Sequence, residues 1–249
     1  IINFSNCRVS VAKLSVSVGV DVASFDVEIA YRASPRRGMF FLAPDEHVQA
    51  RPRQVWTQCQ DEDARYWFPC HDKPHVKMTT ELAATVPNGW RVLSNGALAS
   101  SETPQDGNWR FHWVMKEPHP SYLLTLVAGE FDVVEEEACG VPLSYWVPRG
   151  RLGDVQRTFG RTAAMLALFN DVTGVAYPWN KYAQIVVHDF PGGGMENTTA
   201  TTLYEHTLLD ARAEIDITSD ELIAHELAHQ WFGDLVTCRD WSEGWLNEG

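Results

Sequence analysis

Two histidines and a glutamate near the end of the chain have the types and spacing of a catalytic metal site. His225 and His229 lie four residues apart, and Glu226 directly follows the first of them, in the pattern H-E-x-x-H. On a helix with 3.6 residues per turn the two imidazoles project from one face, close enough to share an ion. Glu226 then lies one residue around the helix, where it can reach a metal-bound water without binding the metal itself.

A third ligand is expected because a catalytic zinc usually has three protein ligands and leaves its fourth position to water. Glu248 lies nineteen residues after His229, beyond a turn at residues 238–240 and a second helical run over residues 241–248. That run would carry the carboxylate back to the histidines. His225, His229 and Glu248 are therefore predicted to hold one zinc ion. Manganese or cobalt could bind in principle, but a nitrogen-rich set with one carboxylate suits zinc.

The chemistry that this set predicts is metal-assisted hydrolysis of an acyl bond. Zinc polarises a scissile carbonyl and makes a bound water more acidic. Glu226 is predicted to act as the general base, which takes the proton from the water and passes it to the leaving amine.

The elements that position these residues can be read from the surrounding sequence. Thr218 and Glu221 form a capping box, which predicts that the helix carrying both histidines begins at Thr218, and Gly233 is placed to end it. Apolar residues at three- and four-residue steps predict another helix over residues 154–174, with Gly174 as its C-cap. Strands are predicted over residues 182–190 and 199–204.

The first 150 residues have the period-2 alternation of half-buried strands. Apolar and polar residues alternate over residues 25–31 and again over residues 109–113, and turn-forming residues such as Pro87-Asn88-Gly89 separate the strand-like runs. The pattern changes near residues 148–150. We therefore predict an antiparallel β domain over residues 1–150 and a mixed, incomplete domain over residues 151–249.

Charge and cysteine content narrow the class of protein. The net charge is −13, which argues against nucleic-acid binding. No apolar run is long enough for a membrane helix. The five cysteines are scattered without a C-x-x-C pair, which favours reduced, structural thiols. The chain begins at Ile1 with no visible signal peptide, and a cytoplasmic location is the expectation.

Several separated motifs carry a resemblance to one family. The segment TQCQDEDARYWFPCHDKP at residues 57–74, GGMEN at residues 193–197, and HELAHQWFGDLVT followed by WLNEG at residues 225–249 occur in this order. Together they resemble the aminopeptidase N family of gluzincin zinc metallopeptidases, which includes leukotriene hydrolase. The resemblance spans nearly the whole chain. It implies an α+β multidomain fold, with an N-terminal, saddle-like antiparallel β-sandwich before a truncated, thermolysin-like α/β zinc peptidase domain.

The resemblance also implies roles for matching residues. Glu196 would bind the free α-amino group of a peptide, and Gln60 would help to hold that amine from the N-terminal domain. Gly193 and Gly194 would let the substrate backbone pair with the chain, and Met195 would line the pocket for the first side chain. The family more often has alanine where Gly194 stands, a change expected to be harmless.

The implied function is a zinc-dependent aminopeptidase that releases single amino acids from peptides with a free N-terminus. The family's transition-state tyrosine would lie beyond Gly249, so the chain is expected to be a fragment that binds zinc but turns over poorly. Two alternatives stay open: a bifunctional aminopeptidase and epoxide hydrolase of the leukotriene hydrolase type, and a non-catalytic scaffold. The scaffold is disfavoured because the predicted ligands and Glu226 are all intact.

Overall fold

Strands dominate the computed structural model, which describes residues 26–103 and 107–249. The strands are β1 Gly38–Leu42, β2 Gln54–Gln58, β3 Lys77–Val86, β4 Arg91–Ser94, β5 Ala97–Glu102, β6 Trp109–Pro120, β7 Leu126–Gly129, β8 Phe131–Ala138, β9 Val141–Pro148, β10 Tyr182–Val187, β11 Gly194–Met195 and β12 Ala200–Tyr204. The helices are α1 Val155–Phe159, α2 Thr162–Thr173, α3 Asp220–Ala228 and α4 Trp245–Glu248. The fold class is therefore α+β, as predicted.

Two of the three sheets are antiparallel and lie in the first part of the chain. One has the strand order β1-β2-β7-β4 and the other β3-β6-β5. Along β6, Phe111, Trp113 and Met115 are buried whereas Arg110 and Lys116 are exposed. This confirms the strand that the alternation over residues 109–113 predicts.

The strand predicted over residues 25–31 is wrong in its described part. Residues 26–31 are in no strand, and Val27, Ile29 and Tyr31 are 45%, 38% and 48% exposed; Phe25 lies outside the described residues. Alternation makes a strand only where a neighbouring strand pairs with its backbone and another layer covers its apolar face. In this segment the Tyr31 hydroxyl instead donates to the Trp67 carbonyl at 2.7 Å.

The third sheet is mixed and has the order β11-β12-β10-β9-β8. Strand β10 pairs in parallel with both β9 and β12, while β8 pairs antiparallel with β9. The sheet therefore combines strands from both sides of residue 150. The predicted division of the chain between residues 150 and 151 stays a prediction.

Strand β10 separates the two hydrophobic cores. Ala183, Ile185 and Val187 pack in the core shared with the N-terminal sheets. Tyr182 and Val186, on the opposite face, pack in the core shared with the helices. Because neighbouring residues of a strand point to opposite faces, this one strand fixes the metal-site helices relative to the N-terminal sheets.

The helix predicted over residues 154–174 is present but broken. α1 ends at Phe159 with Gly160, a residue that weakens a helix, as its C-cap, and α2 begins at Thr162. Gly174 caps α2 with φ 66° and ψ 12°, the left-handed conformation that glycine accepts readily, as predicted. No helix in residues 26–103 or 107–249 has the length and apolar character to cross a membrane.

Candidate metal centre

The helix that carries the two histidines begins and ends differently from its prediction. Ser219 is the N-cap of α3, and its hydroxyl donates to the Thr207 carbonyl at 2.6 Å. Thr218 accepts only from the Asp220 amide, so the predicted capping box with Glu221 does not form. The helix also ends earlier than predicted, at Ala228 and not near Gly233. The hydrogen bond from Ser219 to Thr207, a tertiary contact, takes the place of the predicted local cap.

The three predicted ligands lie together. The Nε2 atoms of His225 and His229 are 3.0 Å apart, and Glu248 Oε2 is 3.8 Å from the first and 3.5 Å from the second. Helix α4 returns Glu248 to this position after a 3₁₀ turn at Trp241–Glu243, so the helical run predicted over residues 241–248 is present as two short pieces. The ligand atoms all lie within 4.8 Å of one another.

A backbone carbonyl sets the orientation of the His229 ring. His229 Nδ1 lies 2.9 Å from the Phe232 carbonyl oxygen. Because a carbonyl only accepts hydrogen bonds, Nδ1 must carry a proton, and Nε2, which faces His225 and Glu248, is the nitrogen of this ring that can bind a metal. This is the arrangement in which histidine usually binds a metal.

Two further carboxylates lie buried behind the three ligands. Glu196 and Glu226 are each 3% exposed, and Glu196 Oε1 and Glu226 Oε2 have no hydrogen-bond partner within the described part of the chain. Burial, and then the charge of Glu196, raises the pKa of Glu226 to about 8. Burial also raises the pKa of Glu196. Both groups are poorly solvated carboxyls.

The balance of charge in this cluster fits a cation. Burial alone would lower the pKa of His229, but hydrogen bonding to Glu248 and the charges of Glu196 and Glu226 outweigh it and raise the value to about 10. The surroundings therefore favour positive charge at the position that the imidazoles face. Two imidazole nitrogens and one carboxylate match the ligand set of a catalytic zinc.

The glycine-rich segment lies beside Glu226. Strand β11 pairs antiparallel with β12 at the edge of the mixed sheet. A Cβ atom on Gly194 would lie 2.3 Å from Glu226 Oε1, so an alanine there would require the carboxyl group to move. The expectation that glycine in place of alanine is harmless to substrate binding stays a prediction. Gly193 has more room, since its Cβ would lie 3.1 Å from Leu222 Cδ1.

For Met195 and Gln60 the structure shows contacts within the protein, and their predicted contacts with a substrate stay predictions. Met195 is 1% exposed and packs in the core with β10, so its contact with a substrate side chain stays a prediction. Gln60 reaches the cluster, but its Nε2 donates to the ligand Glu248, with Oε1 at 3.3 Å. Its predicted contact with an amine also stays a prediction.

Gln230 is a residue of this site that the sequence reasoning missed. It directly follows the second histidine, is 0% exposed, and donates to the Glu196 carbonyl at 2.9 Å. Its position beside H-E-x-x-H was the one available signal, because periodicity does not distinguish a buried polar side chain from an apolar one.

Two family models match the chain. The peptidase M1 N-terminal domain matches residues 6–123, and the peptidase family M1 domain matches residues 157–249.

Three aminopeptidases are among the relatives that match this chain. Human aminopeptidase N is 36% identical over 218 residues, which are 82% of this chain and 22% of the relative. Aminopeptidase B of Rattus norvegicus is 32% identical over 227 residues, 90% of this chain and 33% of the relative. Aminopeptidase N of Streptomyces lividans is 34% identical over 209 residues, 78% and 23% of the two chains. The chain thus spans a fifth to a third of the length of such relatives.

Proposed function

Because the chain belongs to peptidase family M1, we propose that it supplies the catalytic centre of a zinc-dependent aminopeptidase, which releases single amino acids from the N-termini of peptides. One observation carries this proposal: Glu196, whose backbone is hydrogen-bonded to the residue after His229, is a buried carboxyl with no partner for its Oε1 among the described residues. A metal set alone would serve any hydrolase, whereas a further desolvated carboxylate suits a substrate that brings a positive charge.

His225, His229 and Glu248 would hold the zinc ion, and bound zinc would supply a Lewis acid for the scissile carbonyl. Glu226 is the general base. Its carboxyl is buried and interacts with the charge of His229, and its raised pKa makes its deprotonated form a stronger proton acceptor than an ordinary carboxylate. It can therefore take a proton from the attacking water and return it to the leaving amine.

Glu196 is the group that would bind the α-ammonium of the substrate. A charge-assisted hydrogen bond to a buried carboxylate is strong, and a blocked N-terminus would leave that carboxylate unpaired. This cost would restrict the enzyme to peptides with a free N-terminus.

The edge position of β11 would admit the substrate backbone. Because Gly193 and Gly194 have no side chains, an extended peptide could approach this strand and pair with it. We also infer from the family that the N-terminal sheets belong to a saddle-like β-sandwich and that the metal helices belong to a thermolysin-like domain.

The test compares cleavage of one short peptide with a free N-terminus and the same peptide N-acetylated, using the zinc-loaded protein. We expect cleavage of the free peptide alone, with release of its first residue. Glu196→Gln should lower kcat/KM for the free peptide by about 10²-fold, because a neutral amide forms a weaker bond to an ammonium.

Equal cleavage of both peptides by the unaltered protein would instead indicate an endopeptidase. Retention of full activity in Glu196→Gln, with cleavage still limited to the free peptide, would remove Glu196 from amine recognition. Glu205→Gln is the matched control, since Glu205 lies outside the metal cluster, at the end of β12.

A further inference from the structure

The side-chain amide of Gln230 connects the turn that follows α3 to the segment that carries Glu196. Gln230 Nε2 donates to the Glu196 carbonyl at 2.9 Å, and Gln230 Oε1 accepts from the Thr199 amide at 2.9 Å. Oε1 also accepts from the Tyr177 hydroxyl at 3.1 Å. Because a backbone N–H can only donate and a carbonyl can only accept, these partners fix the orientation of the amide.

The segment held in this way is a tight turn. The Ala200 amide donates to the Asn197 carbonyl at 2.7 Å, and Thr199 has φ 69°. A β-branched residue in the left-handed region is disfavoured, so such a conformation persists only where surrounding contacts hold it. Gln230 binds the backbone at both ends of the four residues 196–199.

Several contacts hold the turn from the other side, among them two to the Thr199 hydroxyl. Thr199 Oγ1 accepts from the Gly96 amide at 2.8 Å and from Lys181 Nζ at 2.9 Å. These contacts come from the turn between β4 and β5 and from the residue before β10. Gln230 links the same turn to the end of α3, one residue after the predicted ligand His229.

We propose that Gln230 is a positioning residue that holds Glu196 at the correct distance from the metal for recognition of the substrate α-amino group. This inference rests on the proposed function. It predicts that loss of the Gln230 amide weakens recognition of the amine while the metal ligands keep their own affinity. Glu196 has no side-chain hydrogen bond to its Oε1 among the described residues, so its placement depends on its backbone.

The test uses two zinc-binding probes in calorimetric titrations of the zinc-loaded protein. One is the hydroxamate of leucine, and the other is the hydroxamate of 4-methylpentanoic acid, which differs only in lacking the amino group. The ratio of their dissociation constants measures amine recognition separately from metal binding and without any turnover. Zinc content is measured for each protein by atomic absorption.

Gln230→Met keeps the length of the side chain and removes all three hydrogen bonds. We expect it to lower the preference for the leucine probe about tenfold, the order of effect of one lost hydrogen bond, with unchanged affinity for the probe without the amine. Gln230→Glu keeps the acceptor for Thr199 and loses the donor to Glu196, so it should lower the preference as well. Gln230→Glu also provides the test if Gln230→Met fails to fold.

The matched control is Gln184→Met. Gln184 is likewise 0% exposed, and its Nε2 donates to Thr162 at 2.9 Å, on the face of β10 that meets α2. This variant should unfold at a lower temperature and keep the probe preference of the unaltered protein.

A preference unchanged in both Gln230 variants would overturn the inference, and so would an equal loss of affinity for both probes, which indicates general damage to the site. If the unaltered protein binds the two probes equally, the amine site itself is wrong, and the proposed function fails with it. A selective loss of the amine contribution at full zinc content supports the role of Gln230.

Discussion

His119 is a histidine that the fold holds in its neutral form. It is 0% exposed; its Nδ1 lies 3.1 Å from the Glu117 carbonyl and its Nε2 3.3 Å from Thr80 Oγ1. Burial, and to a smaller extent the charge of Lys77, lowers its pKa below the usual 6.5. Between that lowered pKa and 6.5 the unfolded chain binds more protons than the folded protein, so stability falls as pH falls through this window.

We expect His119→Gln to remove part of this acid sensitivity. The unaltered protein should lose about 1 kcal/mol more than the variant in its free energy of unfolding between pH 7 and pH 5, because glutamine takes up no proton. Urea unfolding at several pH values measures the difference. His47→Gln is the control, since the His47 side chain is 83% exposed and is solvated in both states. Parallel pH profiles for His119→Gln and the unaltered protein would contradict the prediction.

At the scale of elements, Gly174 is the residue that ends α2. Its φ of 66° is costly for any residue with a Cβ, yet a Cβ there would meet nothing within 4 Å. Gly174→Ala should therefore lower the free energy of unfolding by about 1 kcal/mol through backbone strain alone. Thermal or urea unfolding of the variant measures this.

Gly153→Ala provides the comparison for Gly174→Ala. A Cβ on Gly153 also meets nothing within 4 Å, and its φ lies outside the left-handed region. We expect a change within about 0.5 kcal/mol. Equal effects of the two substitutions would show that the left-handed conformation of Gly174 is not what matters.

The helix end and the strand that were predicted correctly are determined by residues close to them in the sequence. The cap at Gly174 and the alternation along β6 depend on residues within one turn or one strand, and both were predicted correctly. The start of α3 was not, because the Ser219 hydroxyl bonds to the Thr207 carbonyl, twelve residues away in the chain. The strand over residues 25–31 failed for a similar reason: its formation depends on a partner strand that sequence alternation cannot specify.

At the scale of the whole molecule, the N-terminal region reaches the metal cluster through Gln60. Its Nε2 donates to Glu248 Oε1, the oxygen that does not face the histidines. Groups that orient a metal ligand typically change metal affinity by one to two orders of magnitude. We therefore expect Gln60→Ala to weaken zinc binding by about tenfold, as measured by competition with a chelator.

Gln156→Ala serves as the control for Gln60→Ala, because Gln156 is an exposed glutamine on α1. If Gln60 acted on the substrate amine alone, its alanine variant would keep the zinc affinity and lose the preference for the leucine hydroxamate. The two measurements thus separate the role expected from the family resemblance from the contact seen in the structure.

The candidate site was predictable to the extent that its residues share one short stretch of sequence. His225, His229 and Glu248 all lie within 24 residues; helical periodicity brings the two histidines together, and the helical run predicted after the turn returns Glu248 to them. The bonds from Gln60 to Glu248 and from Asn95 to the Thr198 carbonyl, at 2.7 Å, join residues more than a hundred positions apart. These contacts follow from the tertiary fold, which periodicity does not determine.

The separation of 188 positions between Gln60 and Glu248 has a consequence during synthesis. At roughly 5–20 residues per second, Glu248 is made on the order of ten to forty seconds after Gln60. All three predicted metal ligands belong to that late stretch, so zinc bound by them could not serve as a nucleus for the N-terminal sheets on the ribosome. Those sheets would have to form without it during this interval, with Gln60, the residue expected to orient Glu248, already made.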